Sequence, residues 1–172
     1  MKERKLEVYL GERFVGTMAQ TADRRVAFAY SEEWLDNGFA ISPFSLPVEQ
    51  KVFVPTSQAF SGLWGVFADS LPDAWGQLLV DRMLKARGIL SADMTQLERL
   101  AIVGDSGMGA LAYRPAWNIQ QDAAIGDLDE LSAQCHAILN HEDAGDLDEL
   151  FQMGGSSGGA RPKIMTDEWI IK

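Results

Sequence analysis

The sequence has few residues of the kinds that build disulfides, metal sites and membrane spans. Its single cysteine, Cys135, excludes an internal disulfide, and its two histidines, His136 and His141, lie five residues apart with no CxxC motif nearby, which disfavours a metal site. No apolar run approaches the length of about 18 residues needed to cross a bilayer, and the charged start of the chain leads into no apolar signal core. We therefore expect a cytoplasmic protein with no membrane partner, in which Cys135 is an ordinary packed thiol.

Positive charge is also scarce. The chain has 15 Lys and Arg residues against 25 Asp and Glu residues, which gives a formal net charge of −10. A protein that itself wraps nucleic acid needs clustered cations to neutralise phosphates, so we expect no direct nucleic-acid partner, and any link to DNA would run through another protein. The 172 residues, 47% of them hydrophobic, suffice for one substantial core, or for a main domain and the beginning of a second.

The first half of the chain has the alternation of a small antiparallel sheet. Leu6, Val8 and Leu10 alternate with polar residues, residues 13–18 can return as the second strand of a hairpin, and Val26–Tyr30 predicts a third strand. Residues 52–54 can add an edge strand. The first half is therefore predicted to be a sheet with one buried face.

From Ala59 onward the apolar residues follow a helical period. This pattern predicts a helix from Ala59 to Pro72, a second that is capped by Asp73 and ends at Gly88, and a third that is capped by Ser91. A strand is predicted at residues 110–114, after a glycine-rich turn.

The sequence Gly-Asp-Leu-Asp-Glu-Leu occurs twice, at residues 126–131 and 145–150. In each copy an aspartate at the cap position and a glutamate three residues later predict the start of a helix. A calcium site is disfavoured because the ligand spacing of an EF-hand is absent. The first of these helices is expected to bury Leu128, Leu131, Cys135, Ile138 and Leu139.

Residues 154–163, Gly-Gly-Ser-Ser-Gly-Gly-Ala-Arg-Pro-Lys, form the segment that is richest in glycine. Glycines let backbone amides turn toward a phosphate, but a linker before a hairpin has the same composition, and the run alone does not decide between them. A Walker A loop is disfavoured because Ala160-Arg161 stands where Lys-Ser or Lys-Thr is required. Lys172, at the end of an apolar strand, is either a solvated charge or the phosphate-binding lysine of a kinase N-lobe.

Four short motifs, taken in order along nearly the whole chain, resemble those of HipA-type protein kinases, the toxin half of a toxin–antitoxin pair. They are Ser45-Leu46-Pro47, the segment from Phe67 to Leu71-Pro72-Asp73, Gly104-Asp105-Ser106 with Gly109-Ala110-Leu111, and residues 157–163 with Trp169-Ile170-Ile171-Lys172. Each motif is short, but their common order and spacing argue against chance similarity.

The resemblance implies an α+β fold, in which a small antiparallel β-sheet packs with a helical segment and is followed by the first strands of a kinase-like N-lobe. It implies a HipA-like N-terminal subdomain at residues 1–115, a helical connecting segment at 116–150 and the start of a kinase-like domain at 151–172.

The resemblance also implies a set of site residues. The nucleotide-binding residues would be Ser156, Ser157, Gly158, Gly159, Ala160, Arg161, Pro162, Lys163 and Lys172. Lys172 would neutralise ATP phosphates. The autophosphorylated serine of the family matches Ser156, seven residues before Lys163, although the adjacent Ser157 leaves the assignment open.

Nothing in the chain matches the catalytic-loop aspartate, its asparagine or the metal-binding aspartate of such kinases. We therefore expect no catalytic residue and no metal ligand here: ATP and Mg²⁺ would bind the complete kinase, no cofactor would bind this chain, and the chain alone would be inactive. Because the sequence stops inside an apolar strand, we expect a piece of a longer protein or a shortened gene product. The implied partners are a DNA-binding antitoxin of the HipB type and a protein substrate from the translation machinery.

Two other functions remain open. The chain is alternatively a stand-alone module or antitoxin that binds and restrains a shorter kinase, although its glycine loop and Lys172 disfavour this hypothesis. It is also open to interpretation as a small nucleotide-binding protein unrelated to kinases, which would require nucleotide binding by this chain alone.

Overall fold

The structure is a computed structural model that describes residues 5–117, 128–140, 142, 147–155, 159–165 and 170–171. These residues have the α+β composition that was predicted. The strands are β1 (Lys5–Leu10), β2 (Arg13–Gln20), β3 (Val26–Tyr30), β4 (Leu111–Arg114), β5 (Ile164–Met165) and β6 (Ile170–Ile171), and the helices are α1 (Glu32–Asn37), α2 (Gly65–Ala68), α3 (Ala74–Ala86), α4 (Gln96–Val103), α5 (Leu128–Leu139) and α6 (Leu147–Gly154). None of the helices in these ranges is long and apolar enough to span a bilayer.

The chain divides into two compact units. The first consists of Met1–Leu71 and Met94–Trp117, and the second of Pro72–Asp93 and Asn118–Lys172. Strands β1 to β4 and helices α1, α2 and α4 belong to the first unit, and the remaining elements belong to the second.

The first unit is built on a four-stranded antiparallel sheet in the order β3-β2-β1-β4. The predicted hairpin and third strand are confirmed: Leu6 pairs with Met18, and the turn between β1 and β2 contains Gly11 at a φ of 59°. The predicted strand at residues 110–114 is also present, as β4, and its Tyr113 pairs with Val8. β4 therefore extends the sheet on the side of β1 away from β2.

One face of this sheet carries the core of the first unit. The largest fully buried side chains there include Trp34, Tyr113, Phe28 and Phe67. The hydroxyl of Tyr113 donates to Oγ of Ser70 at 2.7 Å, so the buried phenol keeps a hydrogen-bond partner. Burial raises the pKa of this tyrosine well above its ordinary value, which keeps the hydroxyl protonated.

The predicted continuous helix from Ala59 to Pro72 is wrong. A 3₁₀ turn at Ala59–Gly62 and the separate helix α2 replace it, and Leu63 between them is extended. The break arises because Phe60 and Ser61 have φ values of 51° and 56°, outside the right-handed helical region. Phe60 consequently points to solvent with 64% of its surface exposed, instead of sharing a buried face with Leu63.

Two further local predictions are corrected. The cap of α4 is Thr95, which accepts from the amide of Glu98 while the Glu98 carboxylate accepts from the amide of Thr95, a complete capping box. Ser91 instead lies in a 3₁₀ turn and donates to the carboxylate of Asp81. In place of an edge strand at 52–54, only Phe53 forms an isolated bridge.

The second unit is organised around α3, which ends as predicted before Gly88, a glycine at a φ of 71°. Its buried residues are Trp75, Gly76, Leu79, Val80, Met83 and Leu84, whereas Leu78 is half-buried and Ala86 is exposed. The guanidinium of Arg82 donates to the carbonyl oxygens of Ile138 at 2.9 Å and Glu142 at 3.0 Å, at the end of α5.

Helices α5 and α6 begin inside the two copies of the repeat, as predicted. The expected cap residues, Asp127 and Asp146, lie outside the described residues. On α5, Leu131, Cys135 and Ile138 are buried, whereas Leu139 is 45% exposed and the side chain of Leu128 lies outside the described set.

Candidate functional site

The glycine-rich segment begins at the C-terminal end of α6 and leads into β5. Strand β5 pairs with β6 in an antiparallel hairpin, with Ile164 opposite Ile171. Of the predicted nucleotide-binding residues, the structure describes Gly159, Ala160, Arg161, Pro162 and Lys163. Ser156, Ser157, Gly158 and Lys172 lie outside the described residues, so their predicted roles stay predictions.

The two glycines at the end of α6 permit close packing that any side chain would prevent. A Cβ added to Gly154 would lie 1.7 Å from the carbonyl oxygen of Lys163, which shows that the two ends of the segment meet at backbone distance. A Cβ added to Gly155 would lie 2.2 Å from the ring of Phe151, and the carbonyl oxygen of Gly155 would lie 1.6 Å from a Cβ added to Gly76 on α3. These glycines therefore serve backbone packing, which the sequence analysis had not assigned to them.

Gly159 is held by the N-terminal end of α3 through both of its polar backbone atoms. Its amide donates to Oδ2 of Asp73 at 2.5 Å, and its carbonyl accepts from the amide of Trp75 at 3.3 Å. The φ of Gly159 is 109°, a value that side-chain-bearing residues rarely adopt. The amide of a residue in the predicted phosphate loop thus already binds an anionic oxygen.

The ammonium group of Lys163 lies close to Gly159. A Cβ added to Gly159 would lie 2.7 Å from Nζ of Lys163, so the ammonium group rests against the α-carbon of Gly159. The side chain of Arg161 is exposed. A backbone amide and an ammonium group are both donors of the kinds that bind phosphate oxygens in proteins.

A groove of about 560 Å³ borders the loop within the second unit. Its lining includes Arg161 and Lys163 from the loop, Cys135 and His136 from α5, and Ile171. Burial raises the pKa of the Cys135 thiol, so the neutral form is favoured and the residue is a poor nucleophile. This agrees with the expectation of a packed thiol.

The sequence identified Asp73 as a helix cap but did not reveal its contact with the glycine-rich segment. It was assigned as the cap of its own helix, but its side chain makes no cap hydrogen bond within α3 and accepts from Gly159 instead. Aspartate is common at helix starts, so nothing at this position in the sequence distinguishes a cap from a contact 86 residues away.

Comparison with known proteins identifies a family for this chain. The family model described as the HipA N-terminal domain matches residues 6–114, which is more than half of the chain. No curated protein matches the sequence.

Proposed function

Because this chain belongs to the HipA N-terminal domain family, we propose that it is the N-terminal part of a HipA-like serine/threonine protein kinase. The proposal assigns residues 156–163 and Lys172 to the phosphate-binding side of the nucleotide site. The complete protein would transfer a phosphoryl group from ATP to a protein serine.

The observation that carries the proposal is the environment of Gly159. Its amide donates to an anionic oxygen at 2.5 Å, and the ammonium group of Lys163 lies against its α-carbon. Backbone amides and ammonium groups are two kinds of donor that hold nucleotide phosphates in kinases, and their presence at Gly159 supports the proposal. ATP would supply the phosphoryl group and Mg²⁺ would neutralise part of the phosphate charge, whereas Gly159 and Lys163 would bind and orient the phosphates.

Lys172 and Ser156 complete this side of the site in the proposal. Lys172 would neutralise ATP phosphates, as the lysine of a kinase N-lobe does. Phosphorylation of Ser156 would add about −1.5 to −2 charges where ATP phosphates bind, and would thereby inactivate the kinase.

The chain alone is expected to bind Mg-ATP weakly or not at all. A kinase site is shared between two lobes, and the aspartates that hold magnesium have no match in this sequence. The net charge of −10 adds an unfavourable field for an anionic ligand. Calorimetric titration of the 172-residue chain should show no saturation at micromolar Mg-ATP. Tight stoichiometric binding would favour an independent nucleotide-binding protein instead.

The partners follow from the same proposal. A DNA-binding antitoxin of the HipB type would hold the complete kinase inactive, and the phosphorylated substrate would be a protein of the translation machinery.

The coding sequence that follows Lys172 tests the proposal. The frame should encode a catalytic-loop aspartate and a metal-binding aspartate, and the complete protein should autophosphorylate on Ser156. Lys172→Ala should abolish transfer, whereas Lys51→Ala, which removes an exposed lysine of the first unit, should not. A complete protein that transfers no phosphate from ATP would refute the kinase assignment.

The position of the family match favours a second candidate. The match ends at residue 114, before the glycine-rich segment begins. A stand-alone module that binds and restrains a separate, shorter kinase would need only this matched part. Co-purification of the chain with such a kinase, together with loss of that kinase's activity, would support the module over the fragment.

A further inference from the structure

Asp73 makes a contact that its position at the start of α3 does not explain. An aspartate at a helix start normally accepts from an amide in the first turn of its own helix. Asp73 makes no such bond, and its Oδ2 accepts from the amide of Gly159 instead. The start of α3 therefore gives up a cap in order to bind the glycine-rich segment.

We propose that Asp73 is a built-in competitor for phosphate at the amide of Gly159. The inference rests on the proposed nucleotide site and adds a residue that tunes its affinity. A carboxylate oxygen and a phosphate oxygen are both anionic acceptors, and a single N–H makes one strong hydrogen bond. A phosphate can bind this amide only after the carboxylate of Asp73 has moved away.

Two further contacts hold the glycine-rich segment against the start of α3. The carbonyl of Gly159 accepts from the amide of Trp75, so a second hydrogen bond holds this residue at the start of α3. Gly76 packs against the carbonyl of Gly155, which holds the beginning of the same segment on the same helix. The acceptor that occupies the amide is therefore set by the residue at the start of α3.

Removal of the carboxylate takes a negative charge away from a place where two described groups favour an anion. The N-terminal end of α3 carries partial positive charge, and Lys163 contributes a full one close to Gly159. With Asp73 in place, its negative charge repels an incoming phosphate as well as occupying the donor. Both effects act in the same direction, so neutralising Asp73 should strengthen anion binding.

The test uses the 172-residue chain with ¹⁵N-labelled glycine, in which NMR follows the amide of Gly159 during titration with inorganic pyrophosphate. Asp73→Asn keeps the side-chain shape and removes the charge, and Asp73→Ala removes both. Because the contact is exposed, we expect each variant to lower the Kd for pyrophosphate by only about threefold to tenfold. Asp93→Asn is the control, because it removes an equal charge from an exposed position of the second unit, and it should change the Kd less than about twofold.

Two readouts decide the inference separately from the kinase assignment. In Asp73→Ala the amide of Gly159 should shift and exchange faster without any ligand; an unchanged amide would mean that the contact does not exist. If the amide is released but pyrophosphate binds no better than to the unsubstituted chain, or binds nowhere near Gly159, Asp73 is not a competitor. Phosphotransfer by the complete protein is measured independently, so a failure of the kinase assignment leaves the pyrophosphate result standing.

Discussion

Replacing Gly76 by alanine should destabilise the second unit, although the same change usually stabilises a helix. Gly76 lies inside α3, where alanine is favoured over glycine by about 1 kcal/mol. An added Cβ, however, would lie 1.6 Å from the carbonyl oxygen of Gly155, whereas real Cβ contacts are essentially never below 3.0 Å. The end of α6 would have to move by about 1.4 Å to reach that limit.

The size of the effect follows from these opposing contributions. Overpacking a tight contact costs about 1–3 kcal/mol, and the upper end applies because the atom that is met is a backbone carbonyl and not the end of a flexible side chain. After the gain in helix propensity, the free energy of unfolding of the second unit should fall by about 2 kcal/mol. This corresponds to a loss of about 30-fold in the equilibrium constant.

Hydrogen exchange of the amides in Ala74–Ala86, read by mass spectrometry, measures this change locally. Gly76→Ala should accelerate exchange in α3 by about 30-fold. Gly65→Ala is the matched control, because its added Cβ would make an ordinary contact of 3.6 Å with Phe60 in the first unit. Exchange that is unchanged or slower in Gly76→Ala would show that α3 and the end of α6 are not packed as described.

Three further outcomes are expected. Cys135, whose thiol pKa is raised by burial, should react with a thiol reagent slowly in the folded chain and rapidly in urea; rapid reaction without urea would contradict its burial. Thr95→Ala removes one hydrogen bond of a capping box and should lower the free energy of unfolding by about 1 kcal/mol in urea titrations. Thr95→Ser keeps the hydroxyl and should retain most of the stability of the unsubstituted chain. Hydrogen bonds from Thr21, and to a smaller extent from Arg25, lower the pKa of Asp23 from 3.8 to about 2. The ionised carboxylate therefore stabilises the folded chain above pH 3.8, and this contribution is lost as the pH falls toward 2. An NMR titration of this carboxyl with a midpoint near 3.8 would contradict those bonds.

Local patterns in the sequence predicted the elements whose cause is local. The hairpin and β3 follow from strict alternation, and α3 follows from an apolar stripe that ends at a glycine. The helix predicted from Ala59 failed because periodicity cannot reveal positive φ values at residues such as Phe60 and Ser61, which ordinarily avoid them. Ser91 and Thr95 are both good cap residues four positions apart, and the local signal that favours Thr95 is Glu98, three residues later, which completes a capping box.

Local sequence patterns could not predict which distant segments pair or pack together. Strand β4 was predicted as a strand, but its pairing with β1 joins residues about 100 positions apart. The same limit applies to the candidate site. Composition and family resemblance identified the glycine-rich segment, whereas the packing of Gly154 against Lys163 and of Gly155 against Gly76 depends on how α3, α6 and β5 assemble.

The Leu71-Pro72-Asp73 motif illustrates how one residue type serves two purposes that a sequence cannot separate. Pro72 precludes an upstream helix from continuing, so a polar residue at the next position is expected from helix capping alone. The described side chain of Asp73 forgoes that cap and accepts from Gly159. Because serine, threonine or asparagine would cap α3 equally well, capping alone does not require a negative charge at this position. The amide of Gly159 and the partial positive charge at the start of α3 both favour a carboxylate, so the observed contact, and not the charge, distinguishes the loop-binding role of Asp73 from that of a cap.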